Sequence, residues 1–289
     1  MKIGAIYPQI ELKGDPHAVR EIGLAVEDMG FDHLLVYDHI IGAVHEGREP
    51  KLWGPYSEKD PFHDPFVMFA YLAGITSRIE LVTGILILPQ RQTVIVARQA
   101  ADLDLLSHER FRMGIGIGWN HVEYDVLGQD FSTRGKRSEE QIELLRTLWR
   151  GEVTSFNGIF DKVDRAALNP APKRQIPIWI GGFADVALRR AAKIGDGFIF
   201  ADGAGDAFTQ VETLKKLLRE EGRPLDGFGL QNNMLKPKSA EDVVETALRW
   251  RDVGGTHIGI NTMGMGLTTA HQHLAYLGRC LDALQAAGL

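Results

Sequence analysis

Two segments decide the fold of this 289-residue chain: Ile79-Glu80-Leu81-Val82-Thr83-Gly84-Ile85-Leu86-Ile87-Leu88-Pro89 and Phe111-Arg112-Met113-Gly114-Ile115-Gly116-Ile117-Gly118-Trp119. The first is a β-rich apolar run too continuous for a one-sided sheet, as expected of a strand covered on both faces. Gly84 interrupts it, which marks a bulge or a close approach of backbone. The second replaces every other side chain with hydrogen near its end. A strand gives up packing in that way where another backbone or a flat ligand must come close. Between them, residues 93–106 read as a helix, so the unit is strand, helix, strand.

The same alternation extends in both directions. Upstream, residues 2–7 form a strand stopped by Pro8, and Asp15 with Pro16 open a helix as cap and first residue. Its apolar face (Val19, Ile22, Ala25, Val26, Met29) has helical spacing, and Gly30 ends it. A strand over 33–37 then delivers Asp38-His39. Residues 40–64 are long, irregular and aromatic, with Trp53 and Tyr56, which suits a lid over a site. Downstream of Trp119 come a loop over 120–135 and a helix signalled by the capping-box pattern Ser138-Glu139-Glu140-Gln141. Asn157-Gly158 between β-prone flanks predicts a small hairpin insertion around 153–160. Four more strands, over 176–180, 197–200, 228–231 and 257–260, each precede a helix. The count is eight strands and eight helices, which in the α/β class predicts a parallel eight-stranded (β/α)8 TIM barrel spanning residues 1–289 as one domain.

Composition narrows the partners. A formal charge of −6 and a pI near 5.9 argue against nucleic acid, whose phosphates need a basic face. The lone Cys280 sits in an apolar helix and reads as a small core residue in a reducing compartment. No secretory signal and no run of the ~20 apolar residues a spanning helix needs is present, so the expectation is a cytoplasmic protein off the membrane.

In a barrel the active site lies at the C-terminal ends of the strands. Those ends present Tyr7-Pro8, Asp38-His39, Gly84-Ile85, Gly118-Trp119, Gly181-Gly182, Ala201-Asp202, Asn232-Asn233 and Asn261-Thr262. They lack the converging His or carboxylate ligands of a metal site, and no Gly-x-Ser-x-Gly nucleophile motif is present. Glycines, an Asp-His pair and aromatics suit a bound cofactor that carries the chemistry while the protein orients it. Gly114 to Gly118 misses the dinucleotide fingerprint, because its third glycine comes one place early. Gly181-Gly182 before a helix is a phosphate candidate, since bare N–H groups there bind anions. Arg134, Lys136 and Arg137, placed before the Ser138 helix, either meet an anion or form a solvated basic turn. His39, at a strand end beside the lid, is the acid/base candidate.

These pieces, with Phe31-Asp32-His33-Leu34-Leu35-Val36-Tyr37, Leu148-Trp149 and Pro177-Ile178-Trp179-Ile180, resemble the luciferase-like superfamily of barrel oxidoreductases, in particular its branch dependent on coenzyme F420. The resemblance implies hydride transfer between F420 and a small organic substrate, with the flat ring inside the barrel mouth. It places a non-prolyl cis peptide at Gly84-Ile85 behind the ring, Asp38 at the ring or ribityl side, and His39 facing substrate. Ile117, Gly118, Trp119, Gly181 and Gly182 fall in the cofactor cradle, and a homodimer is implied. Trp53 and Tyr56 are the substrate candidates. In the sugar-phosphate dehydrogenase branch an acidic residue follows the fourth-strand glycine, whereas Trp119 stands here. The alternatives are an FMN-dependent two-component monooxygenase and a non-catalytic carrier of such a cofactor.

Overall fold

A computed structural model describes residues 1–202 and 206–289. In chain order the strands are β1 (Lys2–Ile6), β2 (His33–Val36), β3 (Glu80–Thr83) with its short continuation β4 (Leu86–Ile87), β5 (Phe111–Gly116), the pair β6 (Thr154–Asn157) and β7 (Lys162–Ala166), then β8 (Ile178–Gly181), β9 (Gly197–Ala201), β10 (Gly229–Met234) and β11 (His257–Ile260). All pairings are parallel except β6 with β7. The order β3-β2-β1-β11-β10-β9-β8-β5, closed by β3 against β5, is the expected eight-stranded barrel.

The helices are α1 (Pro16–Met29), α2 (Pro65–Ala73), α3 (Thr93–Leu106), α4 (His121–Val126), α5 (Arg134–Leu148), α6 (Asp185–Ile194), α7 (Ala207–Glu220), α8 (Ala240–Asp252) and α9 (Ala270–Ala286). As the sequence predicts, Asp15 caps α1, Pro16 opens it, and Gly30 closes it at φ 97°. Cys280 is fully buried.

Three expectations need correction. The stretch read as a loop over 120–135 contains α4, capped by the Asn120 side chain. Helix α5 begins at Arg134 rather than at Ser138, because a 3-10 turn over Phe131–Thr133 capped by Asp130 runs straight into it. Ser138 therefore lies on a buried helical face and caps nothing, and Arg134, Lys136 and Arg137 occupy the helix's first turn. The hairpin extends to Ala166, and its turn holds residues 158–161 between the paired Asn157 and Lys162. Glu140 of α5 clamps that turn by accepting from the N–H groups of Ile159, Phe160 and Asp161 at 2.7–2.8 Å.

Inside the barrel, inward-facing glycines are filled by large neighbours. A Cβ on Gly229 would lie 1.8 Å from the Trp179 ring, and one on Gly4 would lie 2.0 Å from His33. At the N-terminal floor the Arg112 guanidinium stacks on Trp179 at 3.9 Å, donates to Glu80 at 2.9 and 3.0 Å, and donates to Gln231 at 2.8 Å. His33 and His257 lie beside it, their ring centroids 5.8 Å apart. Above this plug Ile6, Leu35, Val82 and Met263 form a separate apolar cluster under the mouth. Among the described residues no helix is long and apolar enough to cross a membrane.

Candidate active site

The sheet breaks between β3 and β4, and the Gly84–Ile85 peptide there is cis. The Ile85 side chain lies across the ends of β5 and β8. A Cβ on Gly116 would come 1.8 Å from it, and one on Gly181 2.7 Å. Of the two expectations, another backbone or a flat ligand, neither names what Gly116 and Gly181 admit, which is the Ile85 side chain. Gly114 likewise admits the Thr83 carbonyl, 2.0 Å from where its Cβ would be, and Gly84 admits Leu35. Ile85 stays partly exposed and forms an apolar floor to the mouth. Around it Ile117, Gly118, Trp119 and Gly182 are also partly exposed. Gly118 sits at φ 64°, a left-handed conformation that favours glycine, with Ile87 filling the Cβ position.

Asp38 departs from expectation. Its side chain has no exposed surface, one oxygen accepts from the Ile87 N–H at 2.9 Å and the other from Arg91 at 2.8 Å. Asp38 lies two residues past the end of β2 and through these bonds anchors the backbone just after Ile85. Arg91 also binds Asp64 at 2.9 Å, and Asp64 caps α2. Burial raises the Asp38 pKa, opposed by the Arg91 charge and the Ile87 N–H.

His39 is held at the mouth. Its Nδ1 lies 2.9 Å from Glu123 Oε1, within hydrogen-bond distance, and Glu123 Oε2 accepts from Gln90 Nε2 at 2.8 Å. The Glu123 side chain is 1% exposed and that of His39 10%. Three aromatic rings enclose the imidazole: Phe62 at 4.8 Å, Tyr56 at 5.2 Å and Trp119 at 5.5 Å between centroids. Burial pushes the Tyr56 hydroxyl up to about 12, so it stays protonated near neutrality. The irregular stretch 40–64 closes over the mouth as a lid. Gly54 packs flat on Trp119, and His45 Nε2 bonds the Tyr56 carbonyl at 2.8 Å. Trp53, expected at the substrate, is 70% exposed with Lys51 stacked 3.8 Å over its ring.

The structure brings together His39, Tyr56 and Trp119, which the sequence singles out, with Glu123 and Phe62, which it does not; Gln90 holds Glu123 and Arg91 holds Asp38. The only signal for Glu123 is that it is an acidic residue a few positions past the fourth barrel strand. At Gly181-Gly182 the following helix α6 has no side-chain cap, which suits an anion, but Asp185 puts a negative charge in its first turn, which opposes one. The basic start of α5 lies closer to hand, with Arg137 donating to the Arg91 carbonyl beside the mouth. Among the described residues no cluster of metal-ligating side chains occurs.

The sequence pattern of the luciferase-like monooxygenases matches residues 4–235. An uncharacterised protein of Mycobacterium tuberculosis is 35% identical over 200 residues, 65% of this chain and 69% of that protein. An F420-dependent glucose-6-phosphate dehydrogenase of Gordonia bronchialis is 30% identical over 236 residues, 79% of this chain and 65% of its own. The pyrimidine monooxygenase RutA of Allorhizobium ampelinum is 30% identical over 176 residues, 57% of this chain and 47% of that enzyme. Two solved structures share the fold at 16% identity. An F420-dependent secondary alcohol dehydrogenase with an F420-acetone adduct gives a TM-score of 0.78, with 98% of each chain covered. The monooxygenase RslO1 from Streptomyces bottropensis gives 0.80, with 100% of each covered.

Proposed function

Because this chain belongs to the luciferase-like monooxygenase family, we propose that it is an oxidoreductase passing a hydride between coenzyme F420 and a small organic substrate. One observation carries the reading: the Ile85 side chain makes an apolar floor over Gly116 and Gly181 at a mouth that also holds His39. A planar ring fits against such a floor, with Ile117, Gly118, Trp119 and Gly182 beside it. Arg134, Lys136 and Arg137 are suited to an anionic tail. When bound, the cofactor would supply or take up the hydride. The chain's own work is to hold the ring, exclude water under the lid, and move a proton at His39.

The likeness to F420-dependent dehydrogenases favours F420. The likeness to RutA and RslO1 favours the second reading, an FMN-dependent monooxygenase. Fluorescence titration separates them. Quenching of the ring by the purified protein with F420, and none with reduced FMN, supports the first reading; the reverse supports the second. A homodimer is part of the proposal, and sedimentation velocity tests it.

A further inference from the structure

We propose that Glu123, oriented by Gln90, is a positioning residue that fixes His39 in its Nδ1–H tautomer and so makes Nε2 the atom that exchanges a proton with substrate. The inference rests on the oxidoreductase reading of this mouth and adds to it which nitrogen acts and what sets it.

The physical basis is a chain of donors and acceptors with one consistent assignment. An ionised carboxylate only accepts hydrogen bonds. Glu123 Oε1, 2.9 Å from His39 Nδ1, therefore requires a proton on that nitrogen. In the neutral ring the other nitrogen then carries the lone pair. Glu123 cannot swing away, because Gln90 donates to its second oxygen at 2.8 Å and both side chains are buried. Gln90 in turn ends a 3-10 turn, Leu88–Gln90, that follows the Ile87 N–H held by Asp38. The same buried anchor thus sets the floor under the mouth and the residue that orients His39. Among the described residues nothing is hydrogen-bonded to Nε2, and the rings of Tyr56, Phe62 and Trp119 surround the imidazole.

The proton step follows. In the oxidising direction a substrate O–H bond breaks as an Nε2–H bond forms. The imidazolium so produced keeps its Nδ1–H on Glu123, whose negative charge sits where the positive charge appears. In the reducing direction Nε2 returns the proton to the substrate oxygen. A buried carboxylate placed at Nδ1 favours the charged ring at the moment of transfer without itself taking the proton.

Glu123→Ala offers Nδ1 no acceptor. In the double variant Gln90→Glu/Glu123→Gln the carboxylate at position 90 only accepts, so it takes the new NH₂ and turns the new amide oxygen to His39. The measurement is long-range ¹H–¹⁵N correlation NMR of the ¹⁵N-histidine-labelled full chain without cofactor, with His39→Gln to assign the ring. Expected is an imine-type Nε2 in the wild type, a pyrrole-type Nε2, the form that free histidine prefers, in Glu123→Ala, and an imine-type Nε2 in the double variant. Should Glu123→Ala fail to fold, Glu123→Leu is read instead. A wild-type ring protonated at Nε2, or a folded Glu123→Ala with the wild-type tautomer, overturns the proposal. The spectrum needs no cofactor, so its outcome is separate from whether F420 binds.

Discussion

Two histidines at opposite ends of one barrel are treated in opposite ways. His33 at the floor is fully buried, neither ring nitrogen has a partner, and the charges around it are the cations Arg112 and Lys2, with His257 alongside. Burial first, and those charges second, hold its pKa well below the ordinary value, so it is kept neutral. His39 at the mouth is almost as enclosed, yet it sits against a carboxylate. The floor suppresses a charge, whereas the mouth sets a carboxylate 2.9 Å from one ring nitrogen. Burial alone does not distinguish the two rings; their neighbours do.

The largest effect expected from that contrast is on turnover. His39→Ala should lower the rate by roughly 10²-fold or more while F420 affinity, read by fluorescence titration, stays within about threefold. Unchanged turnover would place the proton chemistry elsewhere or favour a non-catalytic carrier. Arg112→Met should show the reverse pattern. It leaves Glu80 and Gln231 without their donor, which costs about 2–4 kcal/mol in urea unfolding, discounted because Glu80 is one-third exposed; cofactor affinity should barely move.

A smaller effect concerns acid. The folded pKa of His33 is depressed, and that of His257 is lowered to about 3, chiefly by burial. The unfolded chain binds these protons near pH 6.5 and the folded chain does not. Their stability is thus fully present above about 6.5 and is lost as pH falls toward 3. His33→Phe keeps a ring against Gly4 and should flatten the fall of the unfolding free energy below pH 6.5, read by urea unfolding, by at most about 1.4 kcal/mol per pH unit. A slope identical to the wild type would remove His33 from the acid response. Smallest of all, Trp53→Ala should change kcat/KM by less than about twofold, since the ring is 70% exposed.

The barrel was legible because its strands are continuous apolar runs separated by helical periodicity, and because glycine in β5 and β8 announces close approach. What filled that space was not legible. Gly116 and Gly181 accommodate Ile85 from a third strand, a contact no local pattern encodes. His39 is legible from its place just after a strand, whereas the resemblance puts Asp38 at the ring or ribityl side and the structure ties it to the Ile87 N–H and Arg91. The partner of His39, Glu123, lies 84 residues away on a short helix hidden in what reads as a loop. Ser138 matches a capping box, yet Asp130 starts the turn earlier and carries the helix through it.

A crystal structure of the protein with F420 bound tests the central claim most directly. The expected result is the ring lying on the Ile85 side chain within the barrel mouth, one edge turned toward His39 Nε2, with Glu123 still on Nδ1. A ring bound outside the mouth, or a mouth that admits no ring because Ile85 and the lid stay closed together, would contradict it.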